Sequence, residues 1–217
     1  RVEVVIGGTM LVAAAMEVAV FWGQAWLAGQ PVLAQWRQHL HQNVETLLGL
    51  LPADESLAKD LPWAGMDQNE LGRFLFRITP ALILVNALGV ALLNYAGLRT
   101  LGAGRGWVAE DKPLLWWEVP QWLIFGLIGA GFLLLLPLPG GQVVGLNLLL
   151  VLLPLYFLQG LAILAFGLQR LQVPRIFRWL TYLTLFLFKP ATIAVILLGL
   201  TDLWLDYRRL HRQPESD

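Results

Sequence analysis

Long apolar stretches alternate with shorter polar connections along the whole chain. A helix needs about 20 mostly apolar residues to cross a bilayer, and the longest stretches meet or approach that length. They cover residues 4–28, 72–98, 122–138, 143–168 and 178–209. The pattern predicts an all-α fold, a polytopic bundle of transmembrane helices with five or six membrane crossings.

A different pattern fills residues 31–51, where apolar side chains recur at helical spacing and polar side chains cover the opposite face. This is typical of a helix that lies on the membrane surface or packs on the bundle. The stretch that follows is acidic, and Asp67 with Glu70 three residues later predicts a helix start of the capping-box type. We expect 29–71 to be an extracytoplasmic segment that carries an amphipathic helix on the outer face.

Basic residues predict the orientation, because they concentrate in cytoplasmic loops. The connections 99–121 and 169–178 hold three basic residues each, whereas 29–71 holds two against six acids. If the last stretch crossed the membrane once, Lys189 would lie near the bilayer centre, at a cost of at least ~2.5 kcal/mol. A hairpin at Lys189 and Pro190 removes that cost and returns the C terminus to the cytoplasm. We therefore favour six crossings over five.

Composition narrows the class of protein further. Hydrophobic residues make up 57% of 217 and charged residues only 14%, against about 25% charged in an average globular chain. The net charge is zero, which gives no case for nucleic acid as a partner. With no cysteine, no clustered histidines and none of the common catalytic motifs, we expect no metal, no cofactor and no enzyme activity. The expected partner is the lipid bilayer.

The domain organisation follows from the even spread of apolar stretches. We expect residues 1–217 to form a single integral-membrane helical domain. The chain starts at Arg1 without a methionine and without the pattern of a signal peptide. We therefore expect it to be the C-terminal part of a longer protein, with processing as the alternative.

Ionisable residues within predicted spans are the best candidates for a site, because a charge in the membrane is costly and usually functional. Glu17 lies deep in the first span, and Arg73, Arg77 and Asn86 lie in the second. Together they are candidate substrate-binding residues. The structural alternatives are a pair between Glu17 and Arg77, a hydrogen bond from Asn86 to Glu17, and arginines that extend to the interface.

A second cluster of charges ends the last stretch. It consists of Asp202, Asp206, Arg208 and Arg209. We interpret it as an interfacial salt-bridge cluster at the cytoplasmic end of the last helix, and a cation or partner site is the alternative.

Four short blocks carry a resemblance to a known family: 78–81 (ITPA), 93–95 (LNY), 156–160 (YFLQG) and 199–208 (GLTDLWLDYR). The chain resembles the YybS-like bacterial inner-membrane proteins, a domain of unknown function that is distantly similar to the substrate-binding components of energy-coupling-factor transporters and to MreD. Lys189 departs from the family pattern, which has an apolar residue or proline there. The resemblance implies a multi-pass protein of the bacterial cytoplasmic membrane and no established site residues.

Two functions of different classes follow from these features. The first is a transporter-like component that binds a small substrate within its helix bundle. The alternative is a membrane scaffold that recruits cell-envelope or growth partners, in the membrane or the cytoplasm, through its cytoplasmic loops. An enzyme acting on lipid-linked substrates has the least support, since no residues for it are visible.

Overall fold

The computed structural model of the chain describes residues 2–50, 67–101 and 118–208. Within these ranges the fold is all-α, as the sequence predicts, and contains no β-strand. The helices are α1 (Val2–Leu27), α2 (Val32–Leu50), α3 (Gln68–Leu101), α4 (Leu123–Leu135), α5 (Gly141–Arg170), α6 (Arg175–Leu187) and α7 (Lys189–Leu205). Residues 51–66 of the predicted segment 29–71 and residues 102–117 of the connection 99–121 lie outside the described residues.

Three of these helices are long and apolar enough to cross a membrane: Ile6–Leu27, Asn69–Leu101 and Gly141–Arg170. A fourth candidate arises if α6 and α7 are counted together as one bent span. Helix α4 has 13 residues, or about 20 Å, which is short for a ~30 Å hydrocarbon core. The described helices thus support a membrane protein with three or four spans, and five or six crossings remains a prediction.

Local sequence signals set where the helices begin. At the start of α3, the Glu70 amide donates to Asp67 Oδ1 at 2.6 Å, and the Asp67 amide donates to Glu70 Oε2 at 3.3 Å. The predicted capping box is therefore confirmed. Between α4 and α5 the chain turns at Gly140, whose φ of 78° lies in the left-handed region that glycine adopts without a steric penalty.

The long helices pack side by side around two apolar clusters. One contains Ile6, Leu88, Ala91 and Tyr95 and joins α1 and α3 to the face of α5. The other contains Val119, Leu152 and Tyr156 and joins α4, α5 and α7. Helix α5 contributes to both clusters, so it is the central helix of the described bundle. The outward side chains of α1 are mainly apolar and exposed, as expected for a surface that faces lipid.

The last apolar stretch breaks where the sequence predicts a turn. Helix α6 ends at Leu187, Phe188 is extended, and α7 begins at Lys189 with Pro190 in its first turn, where proline is well tolerated. The axes of the two helices are bent by 102° at this break. The break is confirmed, but the bend is close to a right angle rather than the full reversal of a hairpin. The predicted cytoplasmic C terminus stays a prediction.

Candidate functional site

Three arginines from two helices surround one cleft at the end of the bundle where α3 begins. Arg37 belongs to α2, and Arg73 and Arg77 belong to α3. We call this the arginine cleft; it measures about 390 Å³ and is lined by Arg37, Leu40, Gly72, Arg73, Phe76 and Arg77. All three arginines are exposed. No acidic residue of the described ranges lines the cleft, so its side-chain charge there is positive.

Helical spacing and two local contacts position the arginines of the cleft. Arg73 and Arg77 are one turn apart on α3 and therefore lie on the same face. The Arg37 guanidinium lies 5.2 Å from the centre of the Phe76 ring, within cation–π range. Arg73 Nε donates to the Asn69 carbonyl at 3.3 Å. Within the described part of the chain, the remaining guanidinium donors of these exposed arginines are available to an anion.

An apolar groove lies beside the cleft, between α1, α2 and α3. It measures about 350 Å³ and is lined by Val18, Phe21, Trp22, Val32, Leu33, Trp36, Phe76, Thr79, Pro80 and Ile83. Phe21 and Trp36 pack edge to face with ring centroids 4.2 Å apart. Trp36 Nε1 donates to Thr79 Oγ1 at 3.1 Å, and Thr79 Oγ1 donates to the Leu75 carbonyl at 2.9 Å. The polar side-chain atoms of Trp36 and Thr79 therefore already have partners, whereas the Trp22 side chain is exposed.

A side chain from α5 supports the α3 backbone next to the arginine cleft. Pro80 lies inside α3, where proline removes a helical donor and bends the helix. On the C-terminal side of Pro80, Asn147 Oδ1 accepts from the Ala81 amide at 2.9 Å, and on its N-terminal side Asn147 Nδ2 donates to the Arg77 carbonyl at 2.8 Å. This donor and acceptor are the pair that a regular i→i−4 bond would join. Asn147 thus satisfies the backbone of the bent turn, as neighbouring helices do in membranes.

The structure separates the predicted substrate-binding residues into two places. Arg73 and Arg77 line the arginine cleft, whereas Asn86 Nδ2 donates to Glu17 Oε1 and joins α3 to α1. Asn86 is nine residues beyond Arg77, or about 14 Å along the helix. Glu17 lines neither the cleft nor the groove. Of the alternatives given for Glu17, the hydrogen bond with Asn86 is the one observed.

A buried ion pair connects α7 to the segment that follows it. Arg208 Nη2 lies 2.8 Å from Asp202 Oδ2, and the two side chains are 0% and 3% exposed. Gln159 Nε2 donates to the same oxygen at 3.2 Å, and the Tyr207 amide donates to Asp202 Oδ1 at 3.0 Å. Asp206 adopts a left-handed conformation, with φ 40° and ψ 58°, and this turn brings Arg208 back towards Asp202. The segment 206–208 is thereby held against the bundle.

Gln159 lies inside the central helix α5, away from both of its ends, and so locates this network along the bundle. It lies 18 residues after Gly141 and 11 before Arg170, or about 27 Å and about 17 Å from the two ends of α5. Its other amide atom, Oε1, accepts from the Val119 amide at 3.2 Å. The network ties three chain segments together at this depth. It includes two members of the predicted interfacial charge cluster, Asp202 and Arg208, while Arg209 lies outside the described residues.

Close packing of α5 on α7 accompanies the ion pair. A Cβ atom built on Gly160 would lie 1.9 Å from the Val195 carbonyl oxygen, and one built on Gly199 would lie 2.0 Å from the Tyr156 carbonyl oxygen. Only glycine permits so close an approach of two backbones, as in the small-residue interfaces of membrane helices. The pairs run in opposite directions along the two helices, so α5 and α7 are antiparallel.

Three contributors were not predicted as site residues: Arg37, Asn147 and Gln159. The signal for the last two is their position as amide side chains inside an apolar span, where such groups bond across helices. Arg37 had no signal, because an arginine on the polar face of an amphipathic helix is common. In the described part of the chain, no group of three acidic or histidine side chains is arranged to hold a metal ion.

The long apolar helices and their buried polar contacts define a helical membrane protein. The chain belongs to the family described as "Predicted membrane protein (DUF2232)", which matches residues 1–203. No curated protein and no solved structure matches the chain.

Proposed function

We propose that the protein is a transporter-like component of the bacterial cytoplasmic membrane that binds a small anionic substrate in the arginine cleft. The observation that carries the proposal is the convergence of Arg37, Arg73 and Arg77 on one open cleft. Its volume of about 390 Å³ falls in the usual range of ligand sites, roughly 300–1,000 Å³. Guanidinium groups bind carboxylate and phosphate through paired hydrogen bonds.

The resemblance to YybS-like proteins, and through them to transporter substrate-binding components, agrees with this proposal. In it, Arg73 and Arg77 bind the anion and Arg37 completes the site from α2. Glu17 and Asn86 join α1 to α3. No enzyme activity is proposed. The scaffold alternative depends on cytoplasmic loops, of which 102–117 and 209–217 lie outside the described residues, and no contact in the described residues favours it.

Thermal unfolding of the purified protein in a neutral detergent tests the proposal. The probes are inorganic phosphate and succinate, with chloride added to keep the ionic strength constant. A ligand that binds only the folded state raises the midpoint temperature by mass action. We expect one or both probes to raise it in the native protein and not in the double variant Arg73→Gln/Arg77→Gln.

The matched control is Arg99→Gln, which removes an exposed arginine from the far end of the same helix. It should respond to the probes as the native protein does. Equal responses in the double variant and the control would show that the cleft is not the anion site. The absence of any response to either probe in the native protein would also overturn the proposal.

A further inference from the structure

The arginine cleft and the apolar groove share one wall residue. Phe76 belongs to the wall of both. Four of the seven α3 residues that line them, Gly72, Phe76, Pro80 and Ile83, are spaced by three or four and so lie on one helix face. From the first to the last of these is about 16 Å along the axis. A single elongated ligand can therefore contact both parts.

The two parts differ in chemistry. The cleft offers positive charge, whereas the groove offers mainly aromatic and aliphatic side chains, and the polar atoms of Trp36 and Thr79 within it are already hydrogen-bonded. A small hydrophilic anion would use the cleft and leave the groove empty. An apolar tail gains by leaving water, and it meets no unpaired polar atom at Trp36 or Thr79.

The tryptophans indicate how this surface lies in the membrane. Trp22 is part of the groove, and Trp26 follows one turn later near the end of α1. Tryptophan is enriched at the level of the lipid headgroups. Helices α1 and α3 are antiparallel, since Ile6 packs near Tyr95 and Glu17 contacts Asn86. This end of α1 therefore lies beside the start of α3, so the arginines are at the headgroup level and the groove leads towards the hydrocarbon.

We infer that the site holds an anionic phospholipid from the surrounding bilayer, with its phosphate at Arg73 and Arg77 and one acyl chain in the apolar groove. The inference rests on the proposed function and specifies the class of ligand at the same site. Charge complementarity selects the anionic headgroup, and the groove selects the attached chain. Arg37, held over Phe76, lies where headgroup and chain meet.

Binding measurements on four forms of the protein in detergent test this inference. The probes are phosphatidylglycerol, phosphatidylcholine and the soluble headgroup analogue glycerol 3-phosphate. The forms are the native protein, the charge variant Arg73→Gln/Arg77→Gln, the groove variant Val18→Trp and the control Val12→Trp. Val18 lines the groove, so tryptophan there fills it, whereas Val12 is exposed on α1 away from it.

The expected pattern separates headgroup from chain. Native protein should bind phosphatidylglycerol at least about tenfold more tightly than glycerol 3-phosphate, because each buried methylene adds affinity, and more tightly than phosphatidylcholine. Val18→Trp should lose that advantage and still bind glycerol 3-phosphate. The charge variant should lose both ligands, and Val12→Trp should bind as the native protein does.

Each contrary result has a distinct meaning. If phosphatidylglycerol and glycerol 3-phosphate bind equally and Val18→Trp changes nothing, the lipid inference is overturned while anion binding by the cleft stands. If phosphatidylglycerol binds equally to all four forms, it is only part of the general lipid shell, and the inference again fails. If the charge variant binds every probe as the native protein does, both the inference and the proposed function fail.

Discussion

The side-chain amide of Asn147 donates a hydrogen bond of 2.8 Å to the backbone carbonyl of Arg77, and so joins the central helix α5 to the helix that carries the arginine cleft. The same side chain accepts from the Ala81 amide. The two contacts lie on either side of Pro80 in α3, at the turn where proline disturbs the helical hydrogen bonds. A residue 70 positions further along the chain thus contacts the α3 backbone at Arg77, one of the cleft arginines.

Removal of Asn147 should weaken the protein at this turn. Asn147→Ala leaves the Arg77 carbonyl and the Ala81 amide without their side-chain partner, and we expect a loss of about 1–3 kcal/mol in the free energy of unfolding. Asn94→Ala, which changes an exposed asparagine on α3, should change it by less than about 0.5 kcal/mol. Reversible unfolding in mixed detergent would measure both.

The role of proline can be tested separately. In a Pro80→Ala background, α3 can form regular backbone bonds across the turn, so Asn147→Ala should be less damaging than in the native background. A double-mutant cycle over the two positions measures the coupling free energy between Pro80 and Asn147. Strictly additive effects would mean that Asn147 does not compensate for the proline.

The buried ion pair should be far more sensitive to the loss of one partner than to the loss of both. Asp202→Leu leaves the Arg208 charge buried without its carboxylate, and we expect a loss of about 3–5 kcal/mol. The double variant Asp202→Leu/Arg208→Met should recover much of that loss, because it leaves no unpaired charge. Melting temperature and monodispersity in detergent provide the measurement. A double variant as unstable as the single one would contradict the predicted coupling.

The contact between α5 and α7 should not tolerate a methyl group. Gly160→Ala or Gly199→Ala would place Cβ about 2 Å from a backbone oxygen of the facing helix, so the helices must separate at a cost of about 1–3 kcal/mol or more. Gly167→Ala on α5 meets nothing within 4 Å and should be neutral or stabilising, because alanine is the better helix former. The melting temperatures of the three variants test this prediction. Equal stability of all three would show that the close contact does not form.

Glu17 should matter for helix contact and not for ligand binding. Glu17→Gln keeps an acceptor for Asn86, whereas Glu17→Leu removes it and should destabilise the protein by about 0.6–1.7 kcal/mol. Both variants should keep the response of the arginine cleft to phosphate or succinate in the thermal assay. Loss of that response in Glu17→Gln would return Glu17 to the list of substrate-binding residues.

Much of the fold could be predicted from local pattern. The apolar periodicity predicted helices close to their observed bounds, because each long helix must present a nearly continuous apolar surface to lipid. The capping box at Asp67 and the break at Lys189 followed from residues within one or two turns. The number of crossings could not be read from local pattern in the same way, because α4 is short and α6 bends away from α7. Neither feature is encoded in apolar length alone. The five or six crossings therefore stay a prediction.

The candidate site was only partly predictable. The sequence alone determined that this is a helical membrane protein and that Arg73 and Arg77 share one face of a helix, because composition and helical spacing are local properties. The tertiary structure alone decided that Arg37 joins them, that Glu17 is bonded to Asn86, and that Gln159, Asp202 and Arg208 form one buried network. These contacts link residues far apart in the chain, and their partners depend on how whole helices pack, which no local pattern specifies.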